Sequence, residues 1–132
     1  MTGKPKSYRD LIVWQKAMDL VVAVYAVSAR FPASERFGLT AQVRRAVVSV
    51  PSNIAEGQAR DSTKEFLHHL SISKGSLAET ETQLMVSIML GFVVETDMQE
   101  SWGLCREVGK LLNGLVASLV KLTTGHLRLA WR

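Results

Sequence analysis

A glutamate and a histidine near the start of the predicted third helix have a spacing that could bind a metal ion. Glu65 and His68 are three residues apart and so share one face of a helix, as in the Glu-x-x-His element of di-iron bundles. Such a centre needs a second copy of the element, and the sequence contains none. His68 and His69 point about 100° apart on a helix and are poorly placed to chelate one ion. We predict no metal site and no cofactor, with the two histidines as a surface pair.

Residues for nucleophilic or acid–base catalysis are also poorly arranged. The sequence has no Gly-x-Ser-x-Gly, no P-loop and no Gly-x-Gly-x-x-Gly. Glu79 and Glu81 could form a carboxylate pair, but residues two apart face different directions on a helix. Cys105, the single cysteine, falls within an apolar stripe of the predicted fourth helix, which favours a small buried residue over a reactive thiol. These patterns predict that the chain is not an enzyme.

Basic residues offer a better candidate function, which is attraction to nucleic-acid phosphates. They form an N-terminal arm, a pair in the second helix and a group around the end of that helix, namely Lys4, Lys6, Arg9, Arg44, Arg45, Arg60 and Lys64. Repetition around a symmetric oligomer would strengthen binding through counterion release. No aromatic residues alternate with these charges, so binding to RNA or DNA should be backbone-directed and sensitive to salt. Pairing of Arg45 within the chain, with Glu56 or Glu79, is an open alternative.

Length and composition indicate one folded domain over residues 1–132. Apolar residues make up 47% of the chain and charged residues 21%, which favours a hydrophobic core over disorder. The net charge is +4, yet residues 71–100 hold one Lys/Arg and five Asp/Glu, a net −4. This acidic segment suits contact between subunits or with a basic partner, or it is a solvated surface with a mild bias. The polar N-terminus and the shortness of the apolar runs predict a cytoplasmic chain without membrane contact.

Apolar residues recur at helical spacing in four segments, and no segment alternates as a strand does. The predicted helices run from 7 to 29, 35 to 57, 62 to 90 and 97 to 124, with capping-box patterns opening at Ser7, Ser62 and Thr96. Gly91 and Gly125 mark the predicted ends of the third and fourth helices. Because the connections are short, successive helices should pack antiparallel, which predicts an all-α, up-down-up-down four-helix bundle.

The first helix carries two apolar stripes on nearly opposite faces, whereas a helix of a lone bundle needs one. One stripe comprises Leu11, Trp14, Met18, Val21 and Tyr25, and the other comprises Val13, Ala17, Leu20, Val24 and Val27. Burial from both sides predicts a homo-oligomer, with a wide monomer core as the alternative. We assign the second stripe to packing or oligomer contacts. Asn53 and Glu56 join it as candidates for a bond to a neighbouring helix or chain.

Pro51 lies within the predicted second helix, where a loop would be the ordinary interpretation. Helical spacing nevertheless continues through it in an apolar series, formed by Val43, Ala46, Val47, Val50 and Ile54. A loop would break this register, so we predict a helix kinked at Pro51. Polar side chains beside the proline can bond the backbone groups that it frees, and these are Ser49, Ser52 and Asn53.

Two segments, FPASERFGLTAQVRRAVVSVPSNIAEG and ISKGSLAETETQL, resemble the bacterial four-helix-bundle proteins first known from intervening sequences in large-subunit ribosomal RNA genes. The resemblance covers roughly residues 8 to 93 and is most specific in the second helix. Matching positions are Trp14, Phe31, Pro32, Glu35, Phe37, Gly38, Leu39, Gln42, Arg45, Ala46, Ser49, Asn53, Ile54, Ala55, Glu56, Gly57, Phe66, Gly75, Ser76, Leu77, Glu79 and Glu81. Thr80 departs from the apolar residue expected between the two glutamates. A more distant resemblance is to the accessory proteins of diversity-generating retroelements, which partner a reverse transcriptase and nucleic acid.

The resemblance implies a left-handed antiparallel bundle that assembles into a ring-like homopentamer, and it supplies no catalytic residues. Together with the charge pattern, it predicts a non-enzymatic oligomeric scaffold that contacts RNA or DNA, with a protein partner in addition. The alternatives are a purely structural or protein-binding oligomer and, more remotely, a metal-binding bundle enzyme. A variant with Arg44→Glu and Arg45→Glu should weaken nucleic-acid binding and keep the bundle intact.

Overall fold

The computed structural model describes the backbone of residues 7–131 and the side chains of residues 7–123. It contains four α-helices: α1 (Ile12–Ser28), α2 (Leu39–Ala59), α3 (Thr63–Met89) and α4 (Gln99–Trp131). No β-strand occurs in the part of the chain that is described. Each helix packs on the next, and α1 also packs on α4, so the antiparallel helices enclose one core. The predicted all-α four-helix bundle is confirmed.

Three of the predicted helix boundaries differ from the structure by more than two residues. Helix α1 begins five residues later than predicted, at Ile12, because Ser7 caps a separate 3-10 turn (Tyr8–Asp10) and Leu11 is extended. Helix α2 begins at Leu39 rather than 35, since Glu35 belongs to a short turn (Ala33–Glu35) that precedes it. The predicted end of the fourth helix at residue 124 is also wrong, because α4 continues to Trp131.

The start and end of α3 follow the predicted signals. The Ser62 hydroxyl accepts a hydrogen bond from the Glu65 backbone N–H at 3.1 Å, which satisfies one of the free amides of the first turn. Helix α3 ends at Met89, and Gly91 then adopts a φ of 77°, the left-handed conformation that favours glycine. The predicted cap at Ser62 and the predicted stop signal at Gly91 are therefore confirmed. The second half of the capping box is not formed among the described residues, since the Glu65 carboxylate accepts from the Ser62 hydroxyl and not from the Ser62 backbone N–H.

The predicted second stripe of α1 lies in the core of its own bundle. All five of its residues are buried, which applies to Val13, Ala17, Leu20, Val24 and Val27. They meet the inner faces of the other helices, including Ile54 of α2, Leu84 of α3 and Leu112 of α4. A face that is covered within the chain is not accessible to a neighbouring copy, so these residues act in packing.

Helix α2 continues without interruption through Pro51, as the apolar spacing predicts. Pro51 is itself buried, together with Val47, Val50 and Ile54, so the helical register is kept on both sides of it. The Ser52 hydroxyl donates to the Val48 carbonyl at 2.8 Å. The hydroxyl of Ser73, on α3, donates to the Val50 carbonyl at 2.9 Å. A loop at this position is excluded, while the kink stays a prediction.

Polar side chains inside α3 satisfy their hydrogen-bonding groups locally. Thr80, which departs from the family pattern, is fully buried and donates its hydroxyl to the Ser76 carbonyl at 2.8 Å. Ser87 is equally buried and donates to the Leu84 carbonyl at 2.6 Å. A buried hydroxyl costs little once it is bonded, so Thr80 fits the core without an apolar side chain.

Candidate interaction surfaces

A chain of polar contacts runs along the junction between α2 and α3, which we call the polar seam. It consists of Ser49, Asn53 and Glu56 from α2 with His69 and Ser76 from α3. The hydroxyls of Ser49 and Ser76 are 2.8 Å apart, and Asn53 Nδ2 donates to the Ser49 carbonyl at 2.9 Å. Asn53 Oδ1 lies 3.1 Å from His69 Nδ1. Since Asn53 Nδ2 is donating to Ser49, Oδ1 accepts here and His69 Nδ1 carries the hydrogen.

The seam shows where two predicted contact residues, Asn53 and Glu56, lie, and it corrects the interpretation of His69. Asn53 bonds the neighbouring helix of its own chain, through His69. Glu56 is half exposed, and its Oε2 lies 3.8 Å both from His69 Nδ1 and from an Arg60 nitrogen. The interpretation of His69 as a surface residue is wrong: only 13% of its side chain is exposed, because it packs between the two helices. His68 beside it is exposed.

Arg44 is held against α1. Its Nε donates to Ser28 Oγ at 2.8 Å, and its Nη2 donates to the Tyr25 carbonyl at 3.2 Å. Its guanidinium carbon also lies 4.5 Å from the centroid of the Tyr25 ring, a cation–π contact. A glutamate would lose all of these contacts, so Arg44→Glu should lower the stability of the protein, and the expectation that the bundle stays intact remains a prediction. Arg44 joins α2 to α1 within the chain.

Arg45 faces away from Arg44, toward α3. It lines a half-open cavity of about 330 Å³ whose other walls are Gln42, Ala46, Ser49, Ser76 and Glu79. Arg45 forms no ion pair with any described residue, so direct pairing with Glu56 or Glu79 is not what the structure shows. The two adjacent arginines of α2 therefore do not form one basic patch.

Three predicted basic residues come together at one end of the bundle. The antiparallel order brings the start of α1, the end of α2 and the start of α3 to this end, and with them Arg9, Arg60 and Lys64. All three side chains are exposed. Arg9 lies over the Tyr8 ring, 5.9 Å from its centroid, and Arg60 is the residue near Glu56. Lys4 and Lys6 lie outside the described residues.

The groups that first pointed to enzyme chemistry have structural roles. Glu65 accepts a hydrogen bond from the Ser62 hydroxyl at 3.3 Å at the start of α3. No cluster of three or more potential metal ligands occurs among the described residues. Cys105 is buried, as predicted, and burial raises the pKa of its thiol from 9.0 to about 12; Glu81 adds to the rise and Arg106 opposes it. Such a thiol stays protonated at neutral pH and is a poor nucleophile.

The other predicted stripe of α1 is only partly covered by the chain. Trp14 and Val21 are half buried, while Met18 is 40% and Tyr25 41% exposed. Between this stripe and α2 lies an apolar groove of about 350 Å³, lined by Tyr8, Trp14, Met18, Val21, Val48, Pro51, Ser52 and Ala55. The apolar face thus lies beside a groove that a side chain from outside could fill.

Among the described residues, no helix combines the length and hydropathy needed to cross a membrane.

Sequence reasoning missed the α2 side of this groove and one exposed aromatic residue. Val48 is 40% exposed although its neighbour Val47 is fully buried, and Phe37 is 87% exposed. A signal for Val48 existed, because it lies off the core register of α2 by about 100° from Val47. Phe37 gave no such signal, since its position in a connection carries no periodicity.

The fold places the chain in the class of all-α four-helix-bundle proteins. The chain is a member of the 23S rRNA-intervening sequence protein family, whose sequence model matches residues 9–114. The predicted resemblance to intervening-sequence proteins is thereby confirmed. The more distant resemblance to retroelement accessory proteins stays a prediction.

The fold is similar to the crystal structure of a protein with unknown function from the S23 ribosomal protein family of Bacteroides thetaiotaomicron. The TM-score is 0.73 over 80% of this chain and 98% of that chain, with 22% sequence identity. At this identity the likeness supports the shared fold alone. A comparison with curated proteins found no match.

Proposed function

We propose that the protein is a non-enzymatic, cytoplasmic homo-oligomer that serves as a basic scaffold for RNA or DNA. The observation that carries the proposal is the partly exposed apolar face of α1. Trp14, Met18 and Tyr25 leave apolar area in solvent on a helix whose opposite face is already buried in the core. Exposed apolar area of this kind marks protein interaction sites. The family resemblance implies five copies in the assembly.

The nucleic-acid part of the proposal rests on three exposed basic residues at one end of the bundle. Arg9, Arg60 and Lys64 are exposed there, and Lys4 and Lys6 precede Arg9 in the sequence. An oligomer would repeat these charges around its axis, and each phosphate that they neutralise releases counterions. Lysine and arginine without interleaved aromatic residues favour contact with the backbone over recognition of bases.

A purely structural or protein-binding oligomer is the second candidate, and the apolar groove favours it. The groove lies on the α1–α2 face, and its lining is mostly apolar. Such a surface fits a protein partner and has no means of holding a phosphate. Self-association combined with no nucleic-acid binding at low salt would select this candidate.

Sedimentation velocity and salt-dependent binding test the proposal together. Wild-type protein at micromolar concentration should sediment well above its monomer mass of 14.6 kDa. Labelled single-stranded RNA should bind at about 50 mM salt and lose affinity steeply by about 200 mM. A monomer at micromolar concentration would overturn the oligomer, and failure to bind RNA or duplex DNA at low salt would overturn the nucleic-acid role.

Paired substitutions at this end of the bundle sharpen the binding test. Arg60→Gln with Lys64→Gln should weaken RNA binding and reduce the salt dependence by about 0.7 in log–log slope for each lost phosphate contact. The single variants Arg60→Gln and Lys64→Gln have Lys74→Gln as their charge-matched control, because Lys74 is an exposed lysine in the middle of α3, away from that end. A loss in the control equal to that in each single variant would show that net charge alone governs binding, against a role for this end.

A further inference from the structure

The cavity between α2 and α3 is lined almost entirely by side chains that form hydrogen bonds. It has a volume of about 330 Å³ and is half open to solvent. The hydroxyls of Ser49 and Ser76 lie at its base, since Ser76 is buried and Ser49 half-buried, while the exposed Arg45 and Glu79 lie on its two walls. Small-molecule pockets measure roughly 300–1,000 Å³. The cavity is therefore large enough for a small polar ligand.

The α2 wall and the base of the cavity supply hydrogen-bond donors. Arg45 pairs with no described acidic residue, so its guanidinium is available to an anion from outside, with the Gln42 amide one turn away. Ser49 Oγ accepts from Asn53 Nδ2 at 3.0 Å, and only one of the two hydroxyl hydrogens can lie between Ser49 and Ser76. The other hydroxyl hydrogen remains for a ligand acceptor.

The α3 wall supplies acceptors. The Glu79 carboxylate pairs with no described basic residue, although Arg45 lines the same cavity. Gln83, one turn further along α3, donates its Nε2 to Glu79 Oε2 at 3.4 Å, and its own Oε1 is buried without a donor. Donors are thus in surplus on one side of the cavity and acceptors on the other, with an unpaired charge of each sign across the space between them.

We propose that this cavity binds a free α-amino acid, with the ligand carboxylate on Arg45 and the ligand ammonium group on Glu79. The guanidinium fork matches a carboxylate in two parallel hydrogen bonds, and an ammonium group brings three donors to the acceptor side. A zwitterion satisfies both walls at once, whereas a simple anion is repelled by Glu79 and a simple cation by Arg45.

This binding site goes beyond the proposed scaffold and does not depend on it. The basic residues assigned to RNA contact and the apolar face of α1 contribute nothing to the lining of the cavity. Sedimentation and RNA binding therefore test the proposed function, while amino-acid binding tests this inference, and either can fail without the other.

Three related compounds test the ligand class on the wild-type protein. L-serine carries both charged groups, N-acetyl-L-serine lacks the ammonium group, and L-serine amide lacks the carboxylate. Nuclear magnetic resonance titration should show saturable shifts of the Ser49 and Ser76 backbone amides with L-serine at millimolar concentration. The other two compounds should bind about 10-fold more weakly or worse, since each loses a charged hydrogen-bonded contact. Equal binding of N-acetyl-L-serine, or no saturable shift with L-serine, would overturn the proposal.

Removal of each charge from the cavity is the second test. Arg45→Gln and Glu79→Gln should each weaken L-serine binding by roughly 10-fold or more. Glu79→Gln should also abolish the preference for L-serine over N-acetyl-L-serine, because that preference comes from the ammonium contact. Circular dichroism should show an intact bundle in both variants, since both side chains are exposed.

Matched controls separate the cavity from net charge. Arg36→Gln and Asp19→Asn remove the same charges from exposed residues outside the cavity, and the dissociation constant for L-serine should not change. Equal losses in the controls and in the cavity variants would overturn the assigned site, as would a Glu79→Gln variant that keeps the wild-type preference for L-serine.

Discussion

The hydrogen bond between Asn53 and His69 is one of several polar contacts that join α2 to α3. Asn53 uses its amide nitrogen within α2 and its carbonyl oxygen on α3, so all of its polar atoms are engaged at a half-buried site. Removing either partner leaves the other without its bond, and desolvation of such a group costs about 1–3 kcal/mol. The polar seam thus contributes specificity to the α2–α3 contact as well as stability.

A double-mutant cycle on this pair should show strong coupling. Asn53→Ala and His69→Ala should each lower the free energy of unfolding by about 1–3 kcal/mol, and the double variant should lose clearly less than the sum. Urea unfolding at one fixed protein concentration measures all four proteins. Strictly additive losses would mean that the 3.1 Å contact contributes nothing of its own.

The Cys105 thiol gives the stability of the protein a dependence on alkaline pH. Its pKa rises from 9.0 to about 12 on folding, so between these values the unfolded chain loses a proton that the folded chain keeps. The free energy of unfolding should therefore fall as pH rises through this window, by up to about 1.4 kcal/mol per pH unit. Cys105→Ala removes the titrating group, so wild type should lose stability faster than the variant between pH 8 and roughly 10. Parallel curves would contradict the expected role of burial.

At the scale of the elements, α2 and α3 approach each other closely where α2 has a glycine, Gly57. A Cβ atom added at Gly57 would lie 2.7 Å from His69 Cβ and 3.0 Å from Phe66 Cδ1. Such distances require the two helices to separate, and overpacking of this kind costs about 1–3 kcal/mol. The glycine therefore permits the spacing on which the polar seam depends.

Two alanine substitutions at glycine should have opposite effects on stability. Gly57→Ala should destabilise the protein by about 1–3 kcal/mol because of the close approach. Gly75→Ala should stabilise it by about 0.5–1 kcal/mol, since an added Cβ at this helical site meets nothing within 4 Å and alanine is the better helix former. Thermal unfolding of both variants checks the pair, and a stabilising Gly57→Ala would show that the helices can move apart freely.

Apolar spacing was sufficient to predict the elements but not where each begins. The register through Pro51 predicted a continuous α2, and the Ser62 pattern predicted the start of α3, because both depend on local residues. The starts of α1 and α2 were wrong. Ser7 caps a 3-10 turn, and Glu35 caps α2 from outside with its side chain. Sequence patterns do not separate such turns from the first turn of a helix.

The candidate surfaces were harder to predict because they depend on tertiary neighbours. The sequence placed Arg44 and Arg45 in one basic pair, yet only packing against Tyr25 and Ser28 decides that Arg44 is used within the chain. His69 was predicted at the surface because its partner, Asn53, is sixteen residues away on another helix. The two stripes on α1 predicted burial from both sides. The structure buries the stripe that contains Leu20 and only partly covers the stripe that contains Trp14, so the homo-oligomer stays a prediction.

For the whole molecule, folding and assembly should be thermodynamically linked. If the apolar face of α1 is covered only in the oligomer, association stabilises the folded state, and each tenfold rise in protein concentration adds up to about 1.4 kcal/mol. The wild-type melting temperature should therefore rise with concentration over a hundredfold range. Differential scanning fluorimetry or calorimetry measures the series. The link would be contradicted if the wild-type melting temperature did not change with protein concentration across the association equilibrium.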